Sequence, residues 1–597
     1  MPAQNSARPD NIPGPNLGWV LNDNLAKPRR GSARQLDNWF PLPDGARTRN
    51  GSEKYQKIST TSVLSLFRYK SGSTEKFFAS DATDIFDITT VSDVDTIPSA
   101  LIQDQTSGYY STHQFGTAGG DFLIMVNGTD VMWQYDGSTV YPVNAAAVKA
   151  LDYDGGSVAF ARGETVTGAG GASATIIAVN GDATSGTLYI GTVTSGPFND
   201  DEVLTGSIAG AAVADGADAA LSATAITGVS TSDLSFVWSF ASRLFFVEKN
   251  TMSAWYLPVN AVGGAAAEFR FSSIFQKGGS LLFGASWSID AGDGPDDLCV
   301  FVTDQGEVLI YQGTDPSDST KWSKVGLYDI GKPMGINATI KAGGDLLIAT
   351  DVGMVPLSAA IQKDVAALSL TSVSRPIEPA WKTGVANRGS LNWEVLKWTN
   401  KSMMVVSQPR SDDTFDAECF VANLETGAWA RYTGWDPRCM GLYGDNAYFG
   451  ANDGYVWQME SSGADDGEAY VCVYVPQFDH LKAPGVTKTV QAARANFISD
   501  TNFNYRLSCS VDYNISLPTA PSNATVQVVG GWGSGLWGST FIWASRTDTG
   551  FSTRWASIGR TGFIHAPQLQ ITLGDTLESN IKLLSTDVTF VPGGVVV

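Results

Sequence analysis

Along most of the chain, short apolar runs rich in β-branched and aromatic residues alternate with turn residues, and sustained 3.6-residue apolar periodicity is hard to find. The clearest unit is Leu298-Cys299-Val300-Phe301-Val302, a turn at Asp304-Gln305-Gly306, then Val308-Leu309-Ile310-Tyr311. Two runs of that length and composition, separated by residues that tolerate positive φ, predict a β-hairpin rather than a helix. The same grammar recurs at residues 76–79 with 84–88, 122–126 with 131–135, 244–247 with 253–256, 346–349 with 354–355, 419–422 with 428–432, and 447–450 with 455–459.

The spacing of these seven hairpins sets the expected architecture. Thr83 to Thr129 is 46 residues, Thr251 to Gln305 is 54 and Gln305 to Val352 is 47, which match the roughly 40–50 residues of a four-stranded propeller blade. The expected fold class is all-β: a β-propeller of about six to eight blades, with an inserted small β domain and a C-terminal β-sandwich-like domain. A set of sandwiches is the alternative, since any antiparallel protein yields hairpins at loose spacing. Thr129 to Thr251 spans 122 residues, too many for one blade, and the excess reads as the insertion.

Composition separates the remaining segments. Between Lys149 and Arg243 the only basic residue is Arg162, and two similar phrases, Glu164-Thr165-Val166-Thr167-Gly168 and Glu202-Val203-Leu204-Thr205-Gly206, stand 38 residues apart. Their repeated alternation predicts a small β domain rather than a flexible linker. After Glu460 the hairpin grammar stops, and longer alternating strands are expected at 469–475, 494–498, 505–511 and 569–573. Residues 1–55 carry six prolines between Pro9 and Pro43, together with Arg29, Arg30, Arg34, Arg47 and Arg49. Such a segment is poor at forming its own sheet and needs another surface to lie along, with Trp39 and Phe40 as anchors. The expected organisation is an extended N-terminal arm (1–55), a first propeller segment (56–150), the Gly/Ala/Thr-rich inserted β domain (151–226), a second propeller segment (227–460) and the sandwich-like domain (461–597).

Charge narrows the function. Sixty acidic residues against 39 basic ones give a net charge of -21 over 597 residues, which argues against a surface built to neutralise nucleic-acid phosphates. The same acidity suits a wall that DNA passes without sticking. The five cysteines, Cys299, Cys419, Cys439, Cys472 and Cys509, form no CxxC pair and read as buried free thiols. The N-terminus lacks an apolar core segment and no run of about 18 apolar residues occurs, so neither a secretory signal nor a transmembrane segment is expected and the chain reads as a soluble product of a cytoplasm.

Catalytic signatures are missing. His113, His480 and His565 stand far apart, and no GxSxG, HExxH or P-loop sequence is present. No catalytic, cofactor-binding or metal-ligating residue is therefore assigned, no cofactor is expected, and the chain reads as a non-enzyme. Asp290, Asp293, Asp296 and Asp297 around Gly292 and Gly294 suggest either a hydrogen-bonded loop or a calcium site. The loop reading is preferred, because the glutamate that completes an EF-hand is lacking. The stretch Gly530 to Gly538, GGWGSGLWG, offers two tryptophans for a contact surface or a core plug.

With these segments placed, the opening pattern Ala33-Arg34-Gln35-Leu36-Asp37-Asn38-Trp39-Phe40-Pro41, leading to Arg47-Thr48-Arg49-Asn50-Gly51, resembles the start of tail nozzle proteins of short-tailed, podovirus-type bacteriophages. The stretch from Ala254-Trp255-Tyr256-Leu257-Pro258-Val259 through DAGDGPDD to GEVLIYQGTDP is similar to them as well. The resemblance implies a structural virion protein: a homo-hexamer at the distal end of a short tail, a conduit and gate for genome ejection. Its implied partners are head-to-tail adaptor proteins, tail fibres or spikes, the host envelope, and phage DNA passing through the lumen without sequence-specific binding. It would be assembled in the host cytoplasm and reside in the virion tail. A receptor-binding or glycan-depolymerising tail propeller is the alternative.

Overall fold

The computed structural model describes residues 7–25, 27–288, 297–410, 414–499, 503–523, 549–575 and 578–593. It is a nearly all-β molecule, and each of the seven predicted hairpins forms: five are the middle pair of a four-stranded sheet, the one at 345–356 is the last pair of a three-stranded sheet, and the one at 418–433 is the last pair of its unit. Representative register partners are Phe78 with Asp87, Ile124 with Gln134, Phe246 with Trp255, Val300 with Ile310, Ile348 with Val355, Val421 with Ala430, and Phe449 with Trp457. Six of these units have four strands, and the fifth in order, built on Thr339–Ala342, Asp345–Thr350 and Gly353–Pro356, has three. We number them blade 1 to blade 7 in chain order.

Burial shows why the blades stand in a ring. A strand in such a sheet is apolar on both faces, and each blade covers its faces with its two neighbours. Phe67, Phe78 and Ile85 of blade 1 share a core with Leu123, Met125 and Trp133 of blade 2. Successive clusters join blade 2 to 3, 3 to 4, 4 to 5, 5 to 6 and 6 to 7. The last cluster places Cys439, Tyr448 and Val456 of blade 7 against Leu66, Phe77 and Phe86 of blade 1, which closes the propeller. Closure is also made by hydrogen bonds, because Gly51–Lys57 is the outer strand of blade 7, antiparallel to Tyr455–Ser462. That strand crosses the expected arm–propeller boundary at residue 55, and blade 7 runs past 460.

Helix enters at one place the apolar pattern did not predict. Between blades 5 and 6 the chain forms Leu357–Ala360, Val365–Leu368 and Glu378–Arg388. The longest of these buries Trp381, whose ring lies 5.9 Å from Phe420 and 5.3 Å from Trp393. Its few apolar residues make no continuous stripe, so it is held by one large anchor rather than by an amphipathic face. Among the described residues no helix is long and apolar enough to cross a membrane.

The N-terminal segment is an extended piece woven through other sheets. Arg8–Pro13 pairs with Ile581–Pro592, and the hairpin of Trp39–Leu42 with Gly45–Thr48 joins the same C-terminal sheet. Ser32–Asp37 pairs antiparallel with Tyr470–Pro476, and its last residue, Asp37, pairs in parallel with Arg431 of blade 6. One nine-stranded sheet thus runs from blade 6 into the C-terminal domain. The two C-terminal sheets face each other, with Ala495, Phe497, Ile581 and Leu583 packed on Cys472, Tyr474, Leu569 and Ile571, as in a sandwich.

The insert has its own sheet and core, opening with Lys149–Val158 and ending at Ala219–Ala220. It starts before residue 151 because one continuous ten-residue strand leads into it. Its two repeated phrases pair antiparallel, Thr167 opposite Thr205, and their glutamates act symmetrically. Glu164 accepts from Ala161 N at 2.7 Å and Ile208 N at 3.0 Å; Glu202 accepts from Asn199 N at 2.9 Å and from Gly170 N. Each buried carboxylate caps its own turn and the loop of the other repeat.

The cluster between blades 3 and 4 offers a direct check. Phe301 is fully buried among Trp238, Phe245, Phe271 and Tyr311. Phe301→Ala is expected to lower unfolding stability by about 3–5 kcal/mol, read as a shift in the denaturant midpoint. An unchanged midpoint would contradict the packing.

Candidate functional site

The best-defined polar constellation is organised by Arg49, which is fully buried. It arrives at the end of the arm hairpin, between Gly45–Thr48 and Gly51–Lys57. Nη1 and Nη2 donate to the two oxygens of Asp465 at 2.9 and 2.6 Å. Nε donates to Asn38 Oδ1 at 2.9 Å, Nη1 to Asn50 O at 2.9 Å and Nη2 to Thr433 O at 3.0 Å. All five N–H groups of the guanidinium are therefore used. Its central carbon lies 3.8 Å from the centre of the Tyr470 ring and 5.0 Å from that of Trp435. Burial works against its charge, but the Asp465 carboxylate outweighs that and raises its pKa above the ordinary value.

The neighbours are shaped for this contact. Asn38 adopts the left-handed conformation at φ 61°, which asparagine tolerates, and its amide donates to Thr433 Oγ1 and Val471 O, each at 2.8 Å. Gly51 is required by space, since a Cβ there would lie 1.8 Å from Ala464 O. Asp465 also accepts from Ser52 N at 3.0 Å.

Beside this joint, between blades 6 and 7, opens a cavity of about 500 Å³. Asp465 and Ser52 form one side. On the other, Arg410 Nε donates to Asp436 Oδ2 at 2.8 Å, and Asn452 Nδ2 donates to the same oxygen at 3.0 Å. Phe449 and Trp457, register partners on adjacent strands, lie with ring planes 7° apart and centroids 6.1 Å apart. Exposed Asp453, at the turn between those strands, accepts from Trp457 Nε1 at 3.4 Å.

A second buried carboxylate sits where blades 5, 6 and 7 meet near the axis. Glu394 accepts from Asn337 Nδ2 at 2.9 Å and from Met440 N at 2.7 Å. Burial pushes its pKa up to about 7, opposed by those two donors and by Arg438.

The residues weighed from sequence are dispersed. His113 lies on the first strand of blade 2, and burial, with Lys341 adding to it, lowers its pKa to about 4. His565 is buried in the sandwich and likewise lowered by burial, and His480 stands in the loop before Lys488–Ser499. All five cysteines are buried and free. Asp290, Asp293, Asp296 and the loop 530–538 lie outside the described residues; Asp297 directly precedes the strand Leu298–Thr303. Among the described residues no group of three or more His, Cys, Asp or Glu is placed to hold a metal ion. Sequence reasoning missed the cavity, whose walls come from segments far apart in the chain. Glu394 carried a signal, a lone carboxylate between Trp393 and Val395.

No family model and no curated protein sequence matches the chain. Among solved structures, the chain is similar to Sqt1 of Saccharomyces cerevisiae, with 10% identity, 69% of this chain and 99% of that one covered, and a TM-score of 0.33. YCF48 from Cyanidioschyzon merolae gives 8%, 68% and 98%, with a TM-score of 0.27. The computationally designed Ika8 protein gives 9%, 68% and 99%, with a TM-score of 0.31. Likenesses this distant carry nothing about activity; the propeller assignment stands on the sheet order and closure described above.

Two expectations follow from the buried charges. Arg49→Ala leaves Asp465 without its partner and is expected to cost about 3–5 kcal/mol of stability. Arg49→Lys does not restore it, since an ammonium cannot match the planar fork; denaturant unfolding of both variants reads this. For Glu394, the folded pKa lies above the ordinary value of 4.5. Its contribution is thus fully present below pH 4.5 and is lost as pH rises through about 7. The loss is on the order of 3 kcal/mol, and Glu394→Gln is expected to flatten that portion of the stability–pH profile measured by thermal melting.

Proposed function

We propose that this chain is the subunit of a hexameric nozzle at the end of a short phage tail, a structural virion protein that conducts and gates genome ejection. The observation that carries the reading is the coincidence of two things at residues 33–51. That is the stretch by which the chain resembles nozzle proteins, and it holds Asn38, Arg49 and Gly51, the residues that weld arm, propeller and sandwich together. A component that transmits force between an adaptor above and fibres or spikes below needs its domains fixed to one another. The continuous nine-stranded sheet and the buried Arg49–Asp465 pair provide that fixity.

In this reading the chain is no enzyme, takes no cofactor, is assembled in the host cytoplasm and works in the virion, where its distal end meets the host envelope. DNA passes its ring without sequence-specific contact, and the net charge of -21 suits a lumen that duplex DNA slides past. Electron microscopy of the full chain, alone and on virions, tests the proposal. Sixfold rings with an acidic or neutral lumen are expected. Threefold assemblies, or monomers under all assembly conditions, would overturn it, and a lumen lined by Lys and Arg would remove its electrostatic component.

A further inference from the structure

We propose that the cavity between blades 6 and 7 is a binding site for a neutral or amino sugar unit of a surface polysaccharide. The sugar chemistry stands on this cavity alone; only the choice of a bacterial surface as its source rests on the nozzle reading. Its volume of about 500 Å³ falls within the range of small-ligand sites, roughly 300–1,000 Å³. Its wall combines the two things a pyranose offers to bind: a C–H face and a ring of hydroxyls.

The half-exposed indole of Trp457 gives the wall an apolar surface; the buried Phe449 ring is stacked against it with planes 7° apart, and Lys54 Nζ lies 5.5 Å from the centroid of the indole. The negative π-face of such rings attracts the weakly positive C–H groups of a sugar. The polar groups beside it are planar and already oriented. The Asp436 carboxylate is held by Arg410 and Asn452, both through Oδ2. An ionised carboxylate has about four lone-pair sites, so acceptor capacity remains for sugar hydroxyls, and the second N–H of the Asn452 amide supplies one donor. Asp453 at the exposed turn adds a second carboxylate, positioned by its contact with Trp457 Nε1.

Charge decides which sugars fit. Of these six wall residues, two are acidic and one is basic; nearby, Asp465 is neutralised by Arg49, and Lys54 beside Trp457 by Asp466. A phosphate, sulfate or uronate would meet net repulsion, whereas hydroxyl-rich neutral units and amino sugars would not.

The test uses the full chain on a printed array of neutral, amino-sugar and acidic bacterial oligosaccharides, followed by titration with the strongest neutral probe. Retention of neutral or amino-sugar probes and exclusion of acidic ones is expected. Trp457→Ala and the milder Asp453→Asn should each weaken binding by about tenfold or more, with the thermal midpoint of Asp453→Asn staying near that of the parent. Asp453→Asn keeps the turn's acceptor for Tyr455 N, so its effect on binding is separable from folding. Retention of no neutral or amino-sugar probe, or binding that both variants leave unchanged, would overturn the proposal. So would preferential capture of a lysine-rich peptide through the same two residues. None of these outcomes bears on whether the chain forms sixfold rings.

Discussion

A guanidinium without access to water must find every hydrogen-bond partner within the protein, and Arg49 finds all of its own at the point where the arm, the propeller and the sandwich converge. Its charge is balanced by Asp465, 416 residues away in sequence, in the short connection that leaves the propeller. Such a pair is a poor source of net stability compared with apolar packing, because both ions give up hydration. Its strength lies in specificity: a bidentate fork, stacked on Tyr470, admits one geometry. Misplacing the arm by one residue would leave a bare charge in the interior, so the contact fixes register for everything threaded around it.

That register matters because the propeller is closed by the strand that follows Arg49. Gly51–Lys57 completes blade 7 while the chain from Tyr470 onward builds the sandwich. The arm's earlier strand, Ser32–Asp37, lies between them and makes the blade 6 sheet continuous with the sandwich sheet. Propeller closure and sandwich assembly are therefore not separable events. Loss of the arm would strip blade 7 of its outer strand and expose the edges of both C-terminal sheets. The insert differs: its core is its own, and its two glutamates cap each other's loops inside it.

The sequence was most legible where structure is local. Hairpins are written in short alternating runs and their turns, so all seven hairpins could be read, and with them the propeller. The Thr339–Pro356 unit lost its fourth strand to helices that no periodic stripe announces, because a single tryptophan anchors the longest of them. The longer C-terminal strands were readable by alternation, but Ile581–Pro592, which pairs with both Arg8–Pro13 and Lys488–Ser499, was not singled out. Non-local features were invisible for a plain reason. Arg49 and Asp465, or Arg410, Asn452 and Trp457, are brought together by blade order and strand pairing, and neither spacing nor composition encodes that proximity. The meaning of a residue such as Gly51 becomes visible only when the backbone it must approach is in place.

The arm's basic character also changes meaning once its partners are known. Arg29 pairs with Asp23, Arg30 with Asp10 and Asp479, Arg47 with Glu460, and Arg49 with Asp465. Four of the five arginines that made this segment stand out are engaged with carboxylates of the same chain, and one of them, Arg49, is fully buried. They are fasteners, and they do not form a patch for an external anion. Each such pairing sets one positive charge against a negative one of the same chain. The chemistry that locks the domains together is thus the chemistry that engages these arginines within the chain.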